Sequence, residues 1–338
     1  MITIKEMADM LGISTTTINN VIHGKSGQVS KATIEKVEKM IEEYDYVPNM
    51  TARNLAQNKS KIIGVAMRAK KDKYENTIQD PYVSEIIGAI ERSIRSSEYF
   101  MMIYISDDIK EIIKHVSTWN VDGLILLGMV GDDCLQIKKK FQKPLVYIDS
   151  YFNNYIMEYV NIGLEDFQGS YDITKYLLDC GHKKIAFLAD NCIGVDYERL
   201  NGYQKAMEET EVSYKEDFFF LISPEKQHIS ACLRALYDYS LDYTALVCAS
   251  DYYAVLVMNY LRDRGRDIPG DISIVGFDDS PYSQIVRPAL TTVHQNISEK
   301  GELAVKVLLR MLQGEEHKNT QIILPTQLMI RDTVKIIN

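Results

Sequence analysis

Apolar residues recur at helical spacing near the N-terminus, then give way beyond Lys61 to short apolar runs alternating with amphipathic stretches. Ile4, Met7, Ala8 and Leu11 share one helical face, and Thr3 with Glu6 three positions on is the pairing of a capping box. Gly12 supplies a turn, Ile13 an apolar plug and Ser14 the cap of a second helix that turns Ile18, Val21 and Ile22 inward. A third helix, capped by Ser30, carries Ile34, Val37, Met40 and Ile41 on its inner face. Pro48 stops that helix, and Asn49 can cap a further segment over 50–58. That segment is too short to be helical alone in water and needs bracing.

The longer part reads IIGVAM, a helix over 81–97, YFMMIYI, another helix, DGLILL and PLVYID. A second series starts after Gly163 with a helix over 167–180, then KIAFLA, a helix over 197–209, and an apolar run at 218–222. It continues with a helix over 226–239, TALVCAS, a helix over 252–264 and ISIVGF. Strands alternating with helices predict doubly wound parallel sheets, and two similar series predict two α/β lobes. Ligands bind outside the carboxyl ends of such strands, so facing lobes enclose a cleft. Neither series contains a Gly-rich phosphate loop, and no cofactor is expected.

The net charge of −9 is unevenly spread. Residues 1–61 hold eight Lys or Arg against seven Asp or Glu, a net of +1, which leaves −10 for the remainder. The first 61 residues are therefore near neutral, and the acidic charge sits in the longer part. The five cysteines form no C-x-x-C pair, so no metal or disulfide is expected. Met1 leads straight into the first helix, and no apolar run reaches membrane length, which predicts a cytoplasmic protein without a membrane partner. Adjacent carboxylates such as Asp107-Asp108 diverge rather than converge, and the six histidines are scattered singly. An enzyme is not expected.

The segment ITIKEMADMLGISTTTINNVIHG, followed by YVPNMTARNLAQ, resembles the LacI-type repressor family. The match falls on Thr3, Ile4, Ala8, Gly12, Ser14, Thr17, Val21 and Gly24. It departs at Asn19, Asn20 and His23, where base preference is expected to differ from the family's. The resemblance implies a helix-turn-helix headpiece over 1–47 and a hinge helix with linker over 48–60. It also implies a periplasmic-binding-protein-like sensor core over 61–338. Thr15, Thr16, Thr17, Asn19, Asn20 and His23 would then face the major groove, while Asn49 and Ala52 would belong to the DNA-binding hinge, Ala52 as the small residue that permits close hinge pairing, and Leu55 would enter the minor groove. Leu55 would act as the apolar wedge that kinks the duplex.

Further motifs carry the resemblance along the chain: DGLILL at 122–127, GHKKIA at 181–186, ERLNGY at 198–203 and IPGDISIVGFDD at 268–279. It implies discontinuous lobes, one over about 61–162 and 293–323, the other over about 163–292 and 324–338. It also places effector contacts on Tyr82, Asp149, Arg199, Ser250 and Asp278. Carboxylates accept bidentately from adjacent hydroxyls and a guanidinium offers a fork of donors, a set suited to a sugar or sugar derivative. Arg199 with Asp278 could equally close the second lobe as an ion pair, and Asp149 could be a turn residue. A stacking platform would fall on Phe220 or Ile222. The expected protein is a homodimeric, ligand-responsive repressor of carbohydrate-utilisation genes acting on pseudo-palindromic operator DNA. A sugar-binding protein without a transcriptional role is the alternative.

Overall fold

The computed structural model describes residues 2–25, 27, 29–46, 59–69, 73–151, 159–210, 218–317 and 320–337. The chain divides into two compact units, Met1–Ser60 and Lys61–Asn338. The first holds α1 (Ile4–Leu11), α2 (Thr15–Ile22) and α3 (Lys31–Glu43). Each helix begins as its sequence dictates. Thr3 and Glu6 form the reciprocal capping box, and Ser14 and Ser30 accept from the backbone N–H groups of Thr17 and Thr33. Gly12 ends α1 in the left-handed region at φ 65°, which suits a residue without Cβ. Met7, Ala8, Ile18, Val37 and Tyr46 form the buried centre of this unit.

The second unit contains two six-stranded sheets, each covered by helices on both faces. The first sheet runs β11-β5-β4-β3-β1-β2 and is parallel throughout. Its strands are β1 (Ile62–Arg68), β2 (Phe100–Ser106), β3 (Gly123–Leu127), β4 (Leu145–Ile148), β5 (Val160–Leu164) and β11 (Thr320–Leu324). The second runs β12-β10-β9-β8-β6-β7, with only β12 antiparallel to its neighbour. It comprises β6 (Ile185–Ala189), β7 (Phe219–Leu221), β8 (Ala245–Cys248), β9 (Ser273–Asp278), β10 (Thr291–Gln295) and β12 (Thr326–Met329). The central strands are buried on both faces, as parallel strands between helix layers must be.

Of the helices, α4 (Pro81–Arg95), α5 (Ile109–Thr118), α6 (Gly131–Lys140) and α12 (Ile297–Leu312) pack on the first sheet. The second carries α7 (Asp166–Asp179), α8 (Gly194–Glu208), α9 (Lys226–Ser240), α10 (Asp251–Arg262) and the short α11 (Pro281–Ile285). The chain passes between lobes at 165, at 296 and at 325. The first two crossings differ from the expected positions. β5 belongs to the first lobe through Leu164, since it pairs with β4 and β11, although Asn161 and Gly163 interrupt its apolar run. β10 stays with the second lobe through Gln295, so the return falls after residue 295 rather than at 293.

Candidate functional site

In the headpiece, α2 presents Thr15, Thr16 and His23 to solvent, with Asn19 and Asn20 half-buried beside them. Thr17 plays a different part from its neighbours. Its hydroxyl lies 2.9 Å from the Ser14 hydroxyl and its N–H donates to the same atom, so it helps to build the helix start. Asn49, Ala52 and Leu55 lie outside the described residues.

The sensor unit encloses a cleft of about 220 Å³ between the carboxyl ends of the two sheets. Tyr82, Asp149, Arg199, Ser250 and Asp278 all line it. The topology explains this convergence. Asp149 follows β4 and Asp278 ends β9, both with positive φ, 50° and 117°, an uncommon backbone state for a residue with a side chain. Tyr82 stands in the first turn of α4, where Asp80 caps the helix. Ser250 precedes α10 at the end of β8.

The side chains form one connected polar assembly. The Tyr82 hydroxyl donates to Asp149 Oδ2 at 2.5 Å, and burial together with Asp149 pushes the phenol well above its ordinary pKa. Arg199, 6% exposed, donates through Nε to Asp166 Oδ1 at 2.8 Å and through a terminal nitrogen to the Ala249 carbonyl at 2.6 Å. The same terminal nitrogen is 3.5 Å from Asp278 Oδ1, and the guanidinium lies 3.7 Å from the centre of the Phe277 ring. Burial opposes its charge, but Asp166, Asp278 and Asp196 more than offset that and raise its pKa. Arg199 is therefore as much a structural ion as a ligand anchor. Its shortest charged contact is Asp166, a residue not singled out among the expected effector contacts.

Several further residues complete the walls. Lys73 and Tyr74, from the segment after β1, face Tyr252 and Tyr253 of α10. The Tyr74 and Tyr252 rings are 5.3 Å apart, and the Tyr253 hydroxyl donates to Asp190 at 2.6 Å. The expected platform does not fall on Phe220 or Ile222. Ile222 is wholly buried in the second lobe's core, and Phe220 packs against Tyr239. Aromatic surface comes instead from Tyr74, Tyr252 and Tyr282. The buried hydroxyl of Ser250 has no hydrogen-bond partner among the described residues, which leaves one polar atom in the wall uncommitted.

Asp251, just behind this wall, is wholly buried and accepts from the Ser280 N–H at 2.7 Å and the Thr292 hydroxyl at 2.5 Å. Burial and then the nearby Asp278 push its pKa from 3.8 up to about 8. The native state thus binds a proton that the unfolded chain releases near pH 4, and this contribution is lost as pH rises through 8. Stability should fall as pH increases across that window. In Asp251→Asn the fall should be shallower, measured as melting temperature against pH. An unchanged pH profile would show that the carboxyl is ionised throughout.

The comparisons with known proteins agree with this architecture. Residues 3–49 match the bacterial regulatory proteins of the lacI family, and residues 174–334 match a periplasmic binding protein-like domain. The HTH-type transcriptional repressor PurR of Haemophilus influenzae (strain PittEE) is 31% identical, with 100% of both chains covered. The chain belongs to the LacI family. PurR of Mannheimia succiniciproducens is 30% identical over 99% of each chain. Among solved structures, a transcriptional regulator CelR–cellobiose complex aligns with TM-score 0.73 at 25% identity, covering 99% of this chain and 100% of that one. A Lac repressor dimer bound to operator and the anti-inducer ONPF aligns at TM-score 0.86 and 24% identity over 99% of both chains, a likeness of fold.

As a LacI-family member the chain is a transcriptional repressor with a DNA-binding and a ligand-binding domain, and it is not an enzyme. No helix among the described residues is long and apolar enough to cross a membrane.

Proposed function

We propose that the cleft binds a neutral, polyhydroxylated molecule, a sugar or sugar derivative, and that its occupancy changes the protein's affinity for operator DNA. The observation that carries this reading is the charge of the wall. Asp80, Glu85, Asp149, Asp190, Asp196 and Asp278 outnumber Lys73 and Arg199, and Arg199 is already engaged by Asp166. Such a wall accepts from hydroxyl donors and repels phosphate esters. The cellobiose complex of the CelR relative supports a saccharide. A flat nucleobase is the second reading, favoured by the aromatic side chains of Tyr74, Tyr252 and Tyr282 in the wall. With a saccharide as ligand, the protein is a cytoplasmic repressor of carbohydrate-utilisation genes.

A homodimer fits the surface. β2 is an edge strand with Phe100 67% exposed and Ile103 outward, and Ile285 beside Tyr282 on α11 is 73% exposed. An open edge carrying apolar side chains is a surface that isolated monomers avoid. Thr15, Thr16, Asn19, Asn20 and His23 would read each half-site, with Asn20 favouring adenine. Two headpieces would match a pseudo-palindromic operator.

Calorimetric titration with pentoses, hexoses, disaccharides, purine bases and the phosphate esters of the same sugars tests the ligand class. Binding of at least one neutral sugar, with its phosphate ester at least tenfold weaker, is the expected result. Preferential binding of the esters would refute the reading, and binding confined to purine bases would replace it with the second.

A further inference from the structure

Lys300 is a lysine on the inner face of α12, and it is 1% exposed. Its ammonium lies 2.9 Å and 2.8 Å from the two oxygens of Asp149 and 3.0 Å from Oε1 of Gln295. The amide nitrogen of Gln295 in turn donates to Asp278 Oδ1 at 2.7 Å. Asp149 and α12 belong to the first lobe, whereas Gln295 and Asp278 belong to the second. A single chain of hydrogen bonds and ion pairs therefore runs from Tyr82 through Asp149, Lys300, Gln295 and Asp278 to Arg199 and Asp166. It crosses between the lobes where β10 hands over to α12.

We infer that Lys300 is a positioning residue that sets the lobes relative to one another in the unliganded protein. The reasoning is geometric. An ammonium has three donors, and all are used here, two on one lobe and one on the other. Burying it carries a desolvation cost that good geometry must offset, so it persists only while Asp149 and Gln295 stay in place. Opening or twisting the lobes separates Lys300 from Gln295 and leaves the buried ammonium with a missing acceptor. The chain thus penalises departure from one lobe setting far more than apolar contacts would.

Asp149 and Asp278 are also carboxylates of the cleft wall, one from each lobe. A molecule bound to either competes with this chain for the same oxygens. Occupancy then shifts the lobe equilibrium through a differential contact, as any such shift requires. This inference does not depend on what the ligand is.

The test uses the full-length protein without added ligand. Cys192→Ser and Cys232→Ser remove the accessible thiols. Spin labels go on Glu91→Cys in the first lobe and Lys205→Cys in the second, both exposed positions. Pulsed dipolar spectroscopy then reads the distance between lobes. One narrow distance is expected in this background. Lys300→Met should broaden it and move its centre. The double variant Asp149→Asn/Lys300→Met, which leaves no buried unpaired ion at this pair, should do the same.

Gln295→Leu cuts the chain at its other end while leaving the Lys300 and Asp149 pair intact, and it should also broaden the distribution. Adding Lys300→Met to Gln295→Leu should give little further change, the non-additivity of a shared link. Distributions as narrow as the background in all variants, with only a lower melting temperature, would make Lys300 a stabilising residue alone and overturn the inference. A broad distribution in the starting background would overturn it as well.

Discussion

Arg199→Ala is expected to destabilise the sensor unit by about 3–5 kcal/mol, the loss typical of breaking one side of a buried ion pair. The cause is the pair of carboxylates left behind. Asp166 is 1% exposed and has Arg199 Nε at 2.8 Å, and Asp278 loses the neighbouring cation that offsets its burial. The Ala249 carbonyl also loses its donor. Scanning calorimetry should show the sensor transition lowered by about 5–9 °C, given the usual relation between stability and melting temperature. Arg199→Lys keeps the charge but not the fork, so it should recover only part of the loss. An unchanged melting temperature with abolished ligand binding would assign Arg199 wholly to the ligand.

Leu55→Ala carries the second large effect, on DNA rather than on stability. The expected hinge segment is short, and Leu55 is its single large aliphatic side chain between Ala52 and Asn58. A wedge between base steps exchanges unstacking for contacts to bent DNA. Losing about 3 kcal/mol of that exchange corresponds to operator binding weakened roughly 100-fold. The sensor unit should melt as in wild type. Fluorescence anisotropy with an operator duplex measures the change. Affinity within twofold of wild type would remove Leu55 from the interface.

What could be read from the chain follows from how local each cause is. The caps at Thr3, Ser14 and Ser30 act over three residues, so their side-chain types suffice to place α1, α2 and α3. The alternation of apolar runs with helices likewise marked both sheets, because a strand buried on both faces has no polar position to spare. The first crossing was misplaced where Asn161 and Gly163 break that rule inside β5.

Side-chain partners were harder to read than elements. Arg199 and Asp278 were legible as neighbours of the cleft, but the Asp166 contact depends on α7 packing against α8, which no spacing reveals. The platform was sought on β7, whereas the rings come from the segment after β1 and from α10 and α11. Lys300 left one trace. Ile297, Gly301, Ala304 and Leu308 define the buried face of α12, and Lys300 falls on it. A lysine at a core position of an amphipathic helix is a sign of a buried partner.

One molecule in the acid-rich cleft should control DNA binding. An operator duplex selected from a random pool by the full-length protein is titrated with and without the neutral sugar that binds most tightly. The sugar should change operator affinity at least tenfold, and its phosphate ester should not. Identical operator affinity with the cleft saturated and empty would show that the cleft does not control DNA binding.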